Sequence, residues 1–172
     1  CTMKQYIKFY KEAKGELPRI YCDMDGVLCD FEYAANKVTG QVWGGLTTGQ
    51  DWESIRKTKN FWSTMPWKRD GRLLWNYIKK FEPHILSAYT TEDPNCKPGK
   101  NRWLRNNLGL SGSRINLVRR SEKRNFAMDR RRPAILIDDY PKNISDFKAA
   151  GGIGIIHSNT QTTISQLKRI GF

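Results

Sequence analysis

A chain of 172 residues, 38% hydrophobic and 12% aromatic, is long enough to bury a core and too apolar to be a disordered polymer. Its 30 Lys and Arg against 17 Asp and Glu give a formal charge of +13, enough to attract polyanions, anionic nucleotides or nucleic acid without choosing among them. The four cysteines form no CxxC pair, no apolar run approaches the roughly 20 residues of a membrane span, and no signal-peptide pattern opens the chain; a soluble cytoplasmic protein with reduced thiols, no structural zinc and no membrane partner is expected.

In chain order, residues 2–14 place Tyr6, Ile7 and Tyr10 at helical spacing among lysines, and Gly15 and Pro18 end that pattern. Arg19-Ile20-Tyr21-Cys22 then runs apolar into Asp23, the pattern of a buried strand that delivers an acid at its carboxyl end. Residues 31–71, rich in Gly, Thr and Trp, break the alternation that follows; helical spacing around Phe31–Val38 and Asp51–Lys57 predicts a small helical cap inserted after the first strand. Helices are expected over Arg72–Phe81, Lys100–Asn107, Lys123–Asp129, Asn143–Ala150 and Thr160–Ile170. Strands are expected at His84–Leu86, Ile115–Val118, Ala134–Ile137 and Gly152–Ile156. Strand and helix in alternation predict an α/β fold, a three-layer Rossmann-like parallel sheet, as one domain over residues 1–172 with the 31–71 cap within it. Gly151-Gly152-Ile153-Gly154 precedes a strand instead of following one, so it is no dinucleotide loop.

The chemistry gathers at the strand ends, where ligands of parallel α/β sheets bind. Asp23 and Asp25, spaced i, i+2 before Gly26, can aim two carboxylates at one phosphate: Asp23 as nucleophile, Asp25 as acid and base. Asp138-Asp139 ends a run so apolar that burial is nearly forced, and two adjacent buried carboxylates call for a cation. Magnesium suits them, held by Asp23 and Asp138 with Asp139 and the Asp25 carbonyl. Ser87 at the second strand end would supply a hydroxyl to the phosphoryl oxygens, and Lys123 or Lys100 a positive charge.

The order Asp-x-Asp-Gly-Val, strand-terminal Ser, Lys and Asp-Asp, spanning Asp23 to Asp139, resembles the haloacid dehalogenase (HAD) phosphatase superfamily. Within it the chain is similar to the 5′(3′)-deoxyribonucleotidases through Asp23–Phe31, Asn60-Phe61-Trp62 with Pro66, Cys96 with Lys100 and Trp103-Leu104, and Leu136–Asp139. Where those enzymes tend to have Ser-Pro, this chain has Ser87-Ala88-Tyr89-Thr90. The resemblance implies a magnesium-dependent phosphomonoesterase working through an aspartyl-phosphate. It implies catalysis by Asp23 and Asp25, phosphate binding by Ser87, Ala88, Lys100 and Lys123, and Mg2+ held by Asp23, Asp25, Asp138 and Asp139. Base stacking would fall to Phe31, Trp43, Phe61 or Trp62, which the residues alone read equally well as the cap's own small core.

Nucleoside monophosphates are therefore the expected substrates. Arg119–Arg132, with seven basic residues against Glu122 and Asp129, keeps two alternatives open: a polynucleotide 3′-end phosphatase, and a non-catalytic nucleic-acid-binding module on the same fold.

Overall fold

The computed structural model describes residues 2, 4–5, 17–44 and 48–172. Tyr6, Ile7 and Tyr10 of the expected first helix lie outside the described residues.

Five parallel strands form the central sheet: β1 Ile20–Cys22, β2 His84–Ala88, β3 Ile115–Val118, β6 Ile135–Asp138 and β7 Ile153–Ile156, in the order β3-β2-β1-β6-β7. The short β1 sits at the centre. Tyr21 registers with His84 on one side and Leu136 on the other, so its backbone polar groups are paired on both edges. Both faces are covered, which is why the strands read as unbroken apolar runs instead of alternating ones. Ile20, Cys22, Ile85, Ile135 and Ile137 face one layer. That layer is built by α3 Gly71–Ile78, α4 Cys96–Leu108 and α6 Thr160–Ile170. Tyr21, Leu86 and Leu136 face the other, where Ile144 and Phe147 of α5 Pro141–Ala149 pack beside Ala127. Each fully buried Leu or Ile stabilises the fold by about 1.5–3 kcal/mol relative to exposure.

Between β1 and α3 lie α1 Phe31–Thr39, α2 Gly49–Lys57 and a 3-10 turn Trp62–Thr64. Asp30 caps α1 by accepting from the Tyr33 amide, and Thr48 with Asp51 forms a capping box on α2, so both short helices begin where their side chains satisfy orphan amides. The Trp62 turn seats on α4 at Gly99: a Cβ there would come within 2.5 Å of the Trp62 Cβ, so no larger residue allows this approach.

Two expected elements differ. Helix α4 starts at Cys96, four residues before its predicted start, because Pro98 falls in the first turn, where no intrahelical amide bond is lost. Residues 123–129 are not an α-helix: a 3-10 turn spans Arg120–Phe126 and leads into a hairpin of β4 Met128–Asp129 and β5 Arg132–Pro133. The hairpin turn residues Arg130 and Arg131 have φ of 51° and 65°, the positive values that tight two-residue turns demand. Among the described residues, no helix is long and apolar enough to cross a membrane.

Candidate active site

Asp23 is the first residue past β1, and its amide still donates to the Ile137 carbonyl of β6, so the strand's rigidity carries into the loop. The loop then folds on Met24: the amides of Val27, Leu28 and Cys29 all donate to the Met24 carbonyl at 2.8–3.1 Å. All four of these side chains are fully buried. This tight turn passes through Gly26 at φ 81°, and a Cβ on Gly26 would lie 2.1 Å from Asp139 Oδ2, so the glycine makes room for that carboxylate. Gly26→Ala should therefore cost about 1–2 kcal/mol of stability in backbone strain and displace Asp139. The readouts are chemical denaturation and divalent-cation affinity; an unchanged cation affinity would show that Asp139 is not held by this contact.

The buried Asp23 carboxylate accepts from the Met24 amide at 2.8 Å and lies 3.2 Å from Lys123 Nζ. The same ammonium is 2.7 Å from Asp138 Oδ2. Asp138, with no exposed surface, also accepts from the Tyr140 amide at 2.9 Å and from Asn143 Nδ2 at 3.1 Å. Lys123 is thus a buried bridge between two carboxylates from neighbouring strands. Lys100, equally buried, binds the other acid: its Nζ is 2.6 Å from Asp25 Oδ2, 3.1 Å from Ser87 Oγ and 2.7 Å from the Ala88 carbonyl, which uses all three of its protons. The two lysines hold different aspartates.

Burial pushes the Asp23 carboxyl up, the Asp138 charge pushes it further, and Lys123 pulls back only in part. For Lys123 and Lys100 burial acts against the charge, but Asp23 with Asp138, and Asp25, overcome it and hold both ammoniums above their ordinary value. Cys22 and Cys29, wholly buried beside these acids, are pushed up and stay protonated. Asp139 is exposed as a residue, yet its carboxyl, tucked over Gly26, is pushed up to about 6 by desolvation first and Asp138 second.

Ligand oxygens of Asp23, Asp138 and Asp139 all lie within 4.8 Å of one another. These three with Asp25 set four carboxyls against two ammoniums. A divalent cation offsets the difference, and an all-carboxylate donor set suits a hard ion such as magnesium better than zinc.

These groups open onto a cavity of about 400 Å³, lined by Asp23, Asp25, Asp138 and Asp139 and by Ala88, Lys123, Phe31 and Trp43. Ser87 lies behind Lys100, fully buried, and Ala88 meets the cavity in its place. The four cap aromatics pack on one another but do not share one role. Phe31 meets Trp43 edge-on at 5.1 Å and stacks on Trp62 at 5.4 Å and 15°. Phe61 closes the cluster edge-on to Phe31 and Trp62. Phe31 and Trp43 line the Asp23 cavity; Phe61 and Trp62 are buried behind them, with the Trp62 indole N–H donating to Asp93 at 2.8 Å.

The Arg119–Arg132 segment divides. Arg120 lines the Asp23 cavity and donates to Asn143 Oδ1 at 3.1 Å, turning that amide's N–H toward Asp138. Arg119 and Lys97 lie against the Tyr89 ring. Arg130 and Arg132 line another cavity, of about 540 Å³, with Arg19, His84 and Arg114. Arg19 precedes β1 and His84 opens β2, so that cavity lies at the amino ends of the strands, away from Asp23. Sequence reasoning missed Asn143, and it placed Arg120 only within the basic Arg119–Arg132 segment. The one available signal was Pro141, a first-turn proline that starts α5 early enough to bring Asn143 under Asp138.

No family model and no curated protein matches the chain. Among solved structures, it is similar to a hydrolase from Streptococcus pneumoniae TIGR4, at 11% identity and a TM-score of 0.51 over 88% of this chain and 98% of the other. A hydrolase from Pseudomonas syringae aligns at 14% identity and a TM-score of 0.45, over 90% of each chain. At such identities the first likeness shows a shared fold: a parallel α/β sheet flanked by helices.

Proposed function

We propose that the protein is a magnesium-dependent phosphomonoesterase of the HAD superfamily that dephosphorylates nucleoside monophosphates, deoxyribonucleotides among them. The observation that carries this reading is the buried Asp23–Lys123–Asp138 bridge with Asp139 beside it. Two desolvated carboxylates around one ammonium are costly as a structural device and apt as a phosphoryl-transfer centre. The Streptococcus pneumoniae neighbour, a hydrolase, accords with it.

In this reading Asp23 attacks phosphorus; the bond to its oxygen forms as the ester P–O bond breaks, and Asp25 gives its proton to the leaving oxygen. Asp25 then takes a proton from water, which attacks the aspartyl-phosphate, releases orthophosphate and restores Asp23. Lys100 fixes the Asp25 rotamer and Lys123 opposes charge at Asp23. Mg2+, held by Asp23, Asp138 and Asp139 with the Asp25 carbonyl, would neutralise phosphoryl charge when bound.

A cavity of about 400 Å³ is of small-ligand size. Stacking of a base on Phe31 or Trp43 would add roughly 1–3 kcal/mol. The second reading, a polynucleotide 3′-end phosphatase, draws on the +13 charge. Its arginine track is split, however, with Arg130 and Arg132 at the far end of the sheet, and this supports a mononucleotide.

Phosphate release is to be measured from nucleoside 3′- and 5′-monophosphates and from 3′-phosphorylated oligonucleotides, with and without magnesium. Magnesium-dependent release from mononucleotides is expected; release from oligonucleotides alone would move the assignment to the second reading, and release from none would remove both. Apparent magnesium affinity should also fall as pH drops through about 6, where Asp139 takes up its proton, by up to about tenfold per pH unit. Cation-free protein shows the opposite sign. Its Asp139 value lies above the ordinary 3.8, so ionisation opposes folding at neutral pH and that opposition is relieved on acidification through 6.

A further inference from the structure

Behind the aromatic wall of the catalytic cavity lies another concavity, of about 420 Å³, floored by Phe61 and Trp62. Trp62 stacks on Phe31, which lines the catalytic side, so the two cavities share one aromatic partition. Four cations converge on it: Arg56 and Lys57 from the end of α2, Lys59 just beyond, and Arg102 from α4. No carboxylate lines it.

The cations are only partly used. Arg56 donates to the Glu92 carbonyl at 2.7 Å, and Lys57 makes an exposed pair with Glu53 at 3.0 Å. Lys59 and Arg102 make no ion pair among the described residues. Like charges gathered around one hollow repel, and an anion of several charges relieves this where a single carboxylate would not. The Thr58 and Ser63 hydroxyl protons are spent on the Ser54 and Asn60 carbonyls, so the neutral donors left along the lining are the Asn60 amide and the second N–H of Asn95, whose first goes to Asp93. The hollow has small-ligand size and is closed at its base by Trp62 seated on Gly99, which favours a short chain of phosphates over a passing strand.

We propose that this cavity, at the junction of α2, the Trp62 turn and α4, is a binding site for a polyphosphate group, distinct from the Asp23 centre. The group could belong to inorganic tripolyphosphate or to a nucleoside triphosphate. The site stands whether or not Asp23 is a nucleophile. Occupancy would tie the residues before α3 to the core helix α4, which carries Lys100 to Asp25 and Arg102 into this cavity.

Calorimetric titration without divalent cation favours this site, because the carboxyl-rich Asp23 centre then lacks the ion that would draw a phosphate to it. Tripolyphosphate should saturate the full chain, and Lys59→Ser with Arg102→Ser should weaken it by about tenfold or more, two charge-assisted contacts being lost. The charge-conserving pair Lys59→Arg with Arg102→Lys should retain most of the affinity, which separates charge from folding. A nucleoside triphosphate binding more tightly than tripolyphosphate identifies a nucleotide as the occupant; equal affinities identify the phosphate chain itself. Binding that is indifferent to the double serine variant, or no saturation below millimolar tripolyphosphate, overturns the proposal. So does a single-stranded oligonucleotide that displaces tripolyphosphate from this site at far lower concentration.

Discussion

Asp23→Asn should reduce kcat for phosphomonoester hydrolysis by about ten-thousandfold or more, since an amide cannot form the acyl-phosphate and no neighbouring carboxylate takes its place on the β1 loop. Asp25 does not substitute, because its Oδ2 is held at 2.6 Å by the buried Lys100 ammonium, itself anchored on Ser87 and the Ala88 carbonyl. The folded state should survive. An asparagine oxygen can still accept from the Met24 amide, and removing one of two mutually repelling buried acids offsets the loss of a partner for Lys123. A large loss of rate without a large loss of stability is the signature sought, read by single-turnover phosphate release beside chemical denaturation. Acid-quenched wild-type protein should carry a phosphoryl label at Asp23 that the variant lacks. A variant retaining more than a tenth of the rate would remove Asp23 from the nucleophile's role.

How much of this centre was legible in the sequence follows from what kind of information each residue's position carries. Asp23 and Asp138-Asp139 could be placed because parallel strands buried on both faces are written as continuous apolar runs, and Ile20–Cys22 and Ile135–Ile137 end abruptly at acids. Lys100 and Lys123 were both visible as candidates, but their partners were not, since that depends on how α4 and the Arg120–Phe126 turn cross the sheet. The hairpin at Met128–Pro133 escaped notice because its turn is Arg130-Arg131, with neither the Gly nor the Asn that usually marks positive φ. Among the cap aromatics, local pattern cannot tell a ring facing the cavity from the ring stacked behind it. Phe31 and Trp62 differ in that respect although they touch. Asn143 was silent for the same reason: its amide matters only through Arg120 on one side and Asp138 on the other.

Lys123→Met should be the most destabilising single change at the site, costing about 3–5 kcal/mol in cation-free protein. Methionine fills the volume but leaves Asp23 and Asp138, 6% and 0% exposed, with no opposing charge between them. Lys100→Met provides the comparison. The Asp25 side chain is 31% exposed and can rehydrate, so its loss should be clearly smaller. The pH dependence separates an electrostatic cause from a packing one. In the wild type the Lys123 ammonium is held above its ordinary 10.5, so its contribution is constant between pH 5 and 8 and fades only at alkaline pH. In the variant the Asp23 carboxyl, already pushed up by burial and by Asp138, loses its opposing ammonium, and taking up a proton relieves it; the deficit should therefore shrink as pH falls. Saturating magnesium should recover part of it, since a cation among Asp23, Asp138 and Asp139 supplies the positive charge that the lysine no longer does. A deficit below about 1 kcal/mol without magnesium, or one equal at pH 5 and pH 8, would mean that Lys123 fills space between the strands and does not hold their charges together.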